Sequence, residues 1–235
     1  MTTLRRWSLD PTHPYTAELA ADARLSLTQY HDDQIWQLAL GTGESAALAL
    51  QTQYGGRANL VSLVPMWLID RRTLYQAVGY ATPPAITALA PGYLQIEARL
   101  TPDLVLRADY RAMDSTAVGG RFTLSNTGAR VANVRLDLFA HVVVKGKEQT
   151  AGLFALPDRT SALSLGRVGN LVPVVVLERG HAAPDSPESP KLAVPLSVPP
   201  GESVCHPSGW RLESIAADSK RITRARLHAP EADQT

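Results

Sequence analysis

Apolar and polar side chains alternate along much of the chain. The longest example spans residues 131–145, where every even position from 132 to 144 is apolar and the odd positions include Asn133, Arg135, Asp137 and His141. Successive side chains of a β-strand point to opposite faces, so this alternation predicts a half-buried strand. A helix would spread the same apolar positions around its whole circumference, which excludes a helix for this segment.

The same alternation, or a short apolar run between turn residues, predicts further strands at residues 34–40, 46–54, 60–69, 73–78, 93–100, 104–112, 118–125, 153–156, 172–177 and 192–198. Turn residues connect them closely, as at Pro102-Asp103 and at residues 125–128 (SNTG). Such connections are too short for crossover helices, so the strands are expected to pair antiparallel. Strands with one apolar face each bury those faces between two sheets.

The predicted fold class is therefore all-β, a large antiparallel β-sandwich of the supersandwich kind. Residues 1–24 are expected to form an extended or irregular segment, because Pro11 and Pro14 interrupt it. The sandwich is assigned to residues 25–204, with an exposed proline-rich loop near 184–190. Residues 205–235 lose the alternation and are rich in basic residues, which predicts a short helix or a poorly ordered tail.

Composition narrows the function classes. The chain has 235 residues, with 23 basic and 22 acidic side chains and a formal charge of +1. Proteins that bind nucleic acid normally carry a clear excess of basic over acidic side chains, so a nucleic-acid partner is not expected. No apolar run approaches the roughly 20 residues of a membrane span, and no secretory signal is visible. With a single cysteine, Cys205, these features predict a cytoplasmic protein that has neither a disulfide framework nor a membrane partner.

No catalytic motif stands out. The chain contains no Gly-x-Ser-x-Gly elbow, no His-Glu-x-x-His pair and no Walker-type loop. Residues 41–44 (GTGE) are glycine-rich but lack the lysine of a phosphate loop, so they predict a hairpin turn. His31, Asp32 and Asp33 are potential metal ligands, yet adjacent residues of an extended segment point in opposite directions. We therefore predict no catalytic residue, no metal site and no cofactor.

Three residues are weak candidates for carbohydrate binding, namely Tyr93, Glu97 and His141. Sugar-binding surfaces use exposed aromatic rings, and Tyr93 lies on the polar side of its strand. Glu97 shares that side, and His141 lies on the polar side of the longest strand. By contrast, Trp36 and Trp67 stand in strongly apolar segments and are expected in the core.

Polar side chains also form a row on consecutive predicted strands: Tyr93, Gln95, Glu97, Arg99, Arg107, Asp109, Arg111, Arg121, Thr123 and Ser125. If these strands are neighbours, their outer face carries charges of both signs. A solvated face is the common situation for antiparallel sheets. The alternative is a docking face for another domain, because mixed charge suits a moderately polar contact between domains.

The order of several segments resembles the N-terminal β-sandwich of bacterial glycogen-debranching-enzyme-like and family 63-like glycoside hydrolases, in which the sandwich precedes an (α/α)6 helical barrel. The resemblance covers residues 25–204 and is carried by residues 32–38 (DDQIWQL), 47–55 (ALALQTQYG), 91–94 (PGYL), 118–128 (VGGRFTLSNTG) and 169–175 (GNLVPVV). It implies that the sandwich packs against a helical glycosidase domain or subunit and helps to shape the cleft that holds the oligosaccharide.

In that family the acid and base carboxylates lie on the helical barrel, so the resemblance carries no catalytic residue onto this chain. It ends near residue 204, and a shortened or frameshifted reading of a longer gene is the expectation for the tail. The resulting hypothesis is a non-catalytic accessory domain of a carbohydrate-active enzyme. Two alternatives stay open: a free-standing carbohydrate-binding module, and a small mutarotase-like enzyme using His141 with Glu97 or Asp109 as acid and base.

Overall fold

The computed structural model describes residues 7–8, 16–20, 35–41, 43–53, 58–90, 92–113, 117–155, 161–168, 171–183, 191–205 and 210–216. These residues form strands almost throughout, with a single 3₁₀ turn at Ala77–Gly79. Among them, no helix is long and apolar enough to cross a membrane.

The strands of the N-terminal half are β1 (Trp7–Ser8), β2 (Thr16–Ala20), β3 (Ile35–Ala39), β4 (Ala49–Thr52), β5 (Leu60–Ile69), β6 (Arg72–Leu74), β7 (Thr82–Ala90), β8 (Tyr93–Thr101), β9 (Leu104–Ala112) and β10 (Ala117–Asn126). Those of the C-terminal half are β11 (Ala132–Val144), β12 (Lys147–Glu148), β13 (Gly152–Ala155), β14 (Ser161–Ser164), β15 (Leu171–Leu177), β16 (His181–Ala182), β17 (Lys191–Val198), β18 (Ser203–Cys205) and β19 (Trp210–Ala216).

The strands form two sheets in which every pairing is antiparallel. The first sheet has the order β1-β7-β8-β9-β10-β19-β15-β14-β13, with β18 also paired to β10. The second has the order β16-β17-β11-β5-β4-β3-β2, with β12 on β11 and β6 on β5. The predicted all-β fold class, a large antiparallel sandwich, is thus confirmed.

The alternation in the sequence determines which residues lie between the sheets. Even positions of β8 and of β11 are buried, from Leu94 to Leu100 and from Val134 to Val142. Trp36 and Trp67 are fully buried, as expected. The Trp67 ring meets the edge of Phe122 from the opposite sheet with centroids 5.2 Å apart, a favourable T-shaped contact.

The strands extend beyond the range 25–204 that the sequence suggested for the sandwich. At the N-terminal side, β1 pairs with β7 and β2 pairs with β3. At the C-terminal side, β19 lies inside the first sheet, between β10 and β15. Residues 210–216, expected in a helical or poorly ordered tail, are therefore a strand with two partners, whereas residues 217–235 lie outside the described part of the chain.

Candidate interaction surfaces

The polar row predicted from the sequence lies on the outer face of the first sheet. Strands β8, β9 and β10 are direct neighbours, with Gln95 opposite Asp109 and Asp109 opposite Arg121. Because the even positions of β8 point into the core, the odd positions from Tyr93 to Arg99 point away from it. The condition on which the prediction depended, that these strands are neighbours, is therefore met, and the polar row lies on one face.

Tyr93 belongs to a closed hydrogen-bond network on this face. Its hydroxyl donates to Oδ1 of Asp109 at 2.6 Å, and Nε2 of Gln95 donates both to that oxygen at 2.8 Å and to the Tyr93 hydroxyl at 2.9 Å. The Thr87 hydroxyl donates to Oε1 of Gln95 at 2.9 Å. These hydrogen bonds connect four side chains from three strands, so the half-buried Tyr93 ring has a fixed orientation.

The charges near Asp109 are mostly positive. Nε of Arg107 lies 3.4 Å from Oδ2 of Asp109, while Arg111 and Arg121 are exposed. Partial burial raises the pKa of the Tyr93 hydroxyl, and its hydrogen bond to the Asp109 carboxylate raises that pKa further. Tyr93 is therefore a neutral hydrogen-bond donor at physiological pH.

The outer face of the second sheet has a different character. Even positions of β5 and odd positions of β11 point away from the core, and many of them are apolar. We call this surface the β5–β11 face and define it by the half-buried side chains of Leu60, Met66, Leu68, Phe139 and Val143, which surround the buried Val64. Apolar residues at both the even and the odd positions are typical of a strand that is covered on both faces.

Two charged residues on this surface neutralise each other. Arg135 and Asp137, two positions apart on β11, form a bidentate pair in which Nε donates to Oδ1 at 2.8 Å and Nη2 donates to Oδ2 at 2.9 Å. Asp137 is only 6% exposed. Because two hydrogen bonds from the guanidinium satisfy this nearly buried carboxylate, the pair is compatible with a surface from which water is excluded.

His141 lies beside Phe139 on the β5–β11 face, with ring centroids 5.5 Å apart. Its Nδ1 atom is buried and has no hydrogen-bond partner among the described residues. In the sheet, His141 is opposite Ser62, which is opposite Gln51, which is opposite Gln37. These four residues therefore form a row of polar side chains that crosses four strands of a largely apolar surface.

The three candidate sugar-binding residues do not come together. Tyr93 and Glu97 lie on the outer face of the first sheet, whereas His141 lies on the outer face of the second. Packed sheets are about 10 Å apart, with the core between them. His141 therefore shares no cleft with Glu97 or Asp109, and the mutarotase-like acid–base pairs are wrong because their members point in opposite directions.

Within the described residues, no group of three or more His, Cys, Asp or Glu side chains could hold a metal ion. His31, Asp32 and Asp33 lie outside the described residues. The β5–β11 face was missed in the sequence, although a signal was present: residues 60–69 are apolar at nearly every position, so both sides of that strand avoid water.

No protein-family model matches the chain. No curated protein sequence matches it either. Among solved structures, the chain is similar in fold to the polysaccharide lyase BACCELL_00875, with 11% identity and a TM-score of 0.43 over 83% of this chain and 34% of the lyase. It is also similar to a putative kojibiose phosphorylase from human microbiome, with 9% identity and a TM-score of 0.41 over 86% of this chain. The chain spans only 25% of that phosphorylase. Both are carbohydrate-active enzymes, and the likeness concerns the fold alone.

Proposed function

We propose that this chain is a non-catalytic accessory domain of a carbohydrate-active enzyme and that it docks through the β5–β11 face onto a helical (α/α)6 glycosidase domain or subunit. The observation that carries the proposal is the contrast between the two outer faces. One is covered with charged and hydrogen-bonding groups, whereas the other presents Met66, Leu68 and Phe139. The resemblance of residues 25–204 to glycosidase N-terminal sandwiches is the reason for proposing a helical glycosidase as the partner.

The physical basis of docking is burial of this apolar surface. Full burial of an exposed large apolar side chain contributes about 1.5–3 kcal/mol, and the half-buried side chains of this face contribute the part that is still exposed. The Arg135–Asp137 pair is already satisfied internally, so covering it leaves no lone charge at the interface. Contacts between domains commonly bury about 600–1,500 Å².

Docking places the chain in a supporting role, because the bond-cleaving carboxylates belong to the partner in enzymes of this kind. The isolated chain is therefore expected to show no turnover of α-glucans. Turnover that disappears on Asp109→Asn or Glu97→Gln would contradict this role.

The test is association with an (α/α)6 glycosidase from the same genome that has no sandwich of its own, measured by sedimentation velocity. Met66→Ser and Phe139→Ser are expected to weaken the complex at least 10-fold. Leu89→Ser is the matched control, since Leu89 is 56% exposed but lies on β7 of the first sheet. Absence of a complex, or equal weakening by the control, would overturn the proposal.

A further inference from the structure

We infer that the outer face of β8–β10 binds an oligosaccharide that carries carboxylate groups, with its acidic group at Arg111 and Arg121 and a sugar ring against Tyr93. We call this surface the arginine face. It points away from the β5–β11 face, so ligand binding and docking do not compete. This inference does not depend on the proposed function.

The aromatic element of the site is held in place before any ligand arrives. Tyr93 donates to Asp109 and accepts from Gln95, and Gln95 is itself fixed by Thr87. A side chain ordered in advance loses little conformational freedom on binding, which favours affinity. The network also occupies Oδ1 of Asp109, and Arg107, whose Nε lies 3.4 Å from Oδ2, offsets part of the charge of that carboxylate.

The cationic element is a set of arginines around that carboxylate. Arg121 is opposite Asp109 on the neighbouring strand, and Arg107 and Arg111 lie two positions to either side of Asp109 on β9. Diagonal neighbours of this kind in a sheet are about 7–8 Å apart, so long side chains from both positions can reach one anion. Within the described part of the chain, neither Arg111 nor Arg121 forms a salt bridge.

The strand register places Tyr93 and a glycine on either side of Arg111. Gly119 of β10 is opposite Arg111, and Arg211 of β19 is in turn opposite Gly119. Tyr93 is opposite Arg111 on the other side. The neighbouring strands β8 and β9 therefore place an aromatic ring directly beside a guanidinium.

The chemistry of these groups selects an acidic sugar. A guanidinium binds carboxylate through two parallel hydrogen bonds, and it remains charged at all relevant pH values. Four exposed arginines, Arg99, Arg107, Arg111 and Arg121, face only two acidic residues in the row, Glu97 and Asp109. The carboxylates of a uronate-containing chain would pair with the arginines that are in excess, whereas a neutral glucan carries no group for them to pair with.

The test is isothermal titration of the full chain with hexagalacturonate and, as the neutral comparison, maltohexaose. Binding is expected for hexagalacturonate only, and the double variant Arg111→Gln/Arg121→Gln is expected to weaken it at least 10-fold. The matched control is Arg72→Gln/Arg130→Gln, which removes the same charge from exposed positions elsewhere. Tyr93→Ala should also weaken binding, because it removes the ring.

Several outcomes would overturn the inference. One is no measurable binding of hexagalacturonate, and another is equal binding of maltohexaose. Equal weakening by the two double variants would indicate attraction by net charge alone. Finally, a single-stranded DNA oligonucleotide that binds as tightly, through the same two arginines, would assign the arginine face to nucleic acid instead. None of these results bears on docking through the β5–β11 face.

Discussion

The hydroxyl of Tyr110 donates a hydrogen bond to the backbone carbonyl of Leu48 at 3.2 Å. Tyr110 belongs to β9 of the first sheet, and Leu48 immediately precedes β4 of the second, so this bond connects the two sheets through the core. Both residues are fully buried. Leu48 has a φ of 58°, a left-handed conformation that a leucine rarely adopts, and the bond helps to hold it there.

Replacing Tyr110 with Phe should destabilise the fold by about 1–3 kcal/mol, because the buried Leu48 carbonyl would lose a donor while the ring packing stays. The free energy of unfolding from a urea titration measures this. Tyr75→Phe is the matched control, since Tyr75 is half-buried, and it should change stability by less than about 0.5 kcal/mol. Equal effects of the two variants would show that the cross-sheet bond contributes nothing.

Alkaline pH should destabilise the fold. Burial raises the pKa of both Tyr80 and Tyr110 above the ordinary value of 10.0. Below pH 10 both the folded and the unfolded states keep these phenols protonated, so their contribution to stability is complete. Above it, the unfolded chain releases protons that the folded chain retains, and stability falls as the pH rises.

Absorbance at 295 nm should accordingly show that tyrosinate from these two residues appears only when the protein unfolds. In Tyr80→Phe/Tyr110→Phe, the absorbance step that coincides with unfolding should be smaller by two phenols. If both phenols titrate reversibly near pH 10 in the folded protein, burial is not what sets their pKa values.

Asn126 should be among the most sensitive positions. Its side chain is 3% exposed, donates to the carbonyls of Arg130 and Val198 at 2.7 and 2.8 Å, and accepts from the Gly128 amide at 2.9 Å. Asn126→Ala should cost about 2–4 kcal/mol, because one buried and two partly buried backbone hydrogen bonds are lost. The exposed Asn133→Ala is the control, and thermal unfolding followed by circular dichroism makes the comparison. A loss below about 1 kcal/mol at Asn126 would contradict this prediction.

The Arg135–Asp137 pair should show its coupling in a double-mutant cycle. Arg135→Gln leaves a nearly buried carboxylate without its guanidinium and should destabilise the fold by about 1–3 kcal/mol. Adding Asp137→Asn should restore part of that loss, because the lone charge is then removed. Strictly additive effects of the two substitutions would mean that the pair is not coupled.

Much of the fold could be predicted because the local pattern and the final burial agree. The alternation from Leu104 to Ala112 matches β9 to the residue, and the SNTG turn is the segment that Asn126 holds together. Strand β7 was not predicted, since Pro83 and Pro84 usually exclude a strand interior. Strand β19 was also missed. Its two neighbours, β10 and β15, are distant in the sequence, and the local pattern of side chains does not show pairing with distant strands.

The surfaces were harder to predict than the strands. The row from Tyr93 to Arg121 could be read from the sequence because hairpin neighbours are adjacent in the chain. That His141 lies on the opposite side of the molecule from Glu97 depends on which sheet each strand joins. Long-range pairing, such as that of β11 with β5 and β17, decides this.

Methionine oxidation tests the central claim, docking through the β5–β11 face, most directly. Met66 lies on that face, whereas Met113 follows β9 of the first sheet and is 45% exposed, which makes it an internal control. Hydrogen peroxide converts accessible methionine into its sulfoxide, and mass spectrometry gives the rate at each position. With the helical glycosidase present, oxidation of Met66 should slow at least several-fold while that of Met113 stays unchanged. If Met66 reacts at the same rate with and without the partner, or if only Met113 is protected, this surface is not the docking face.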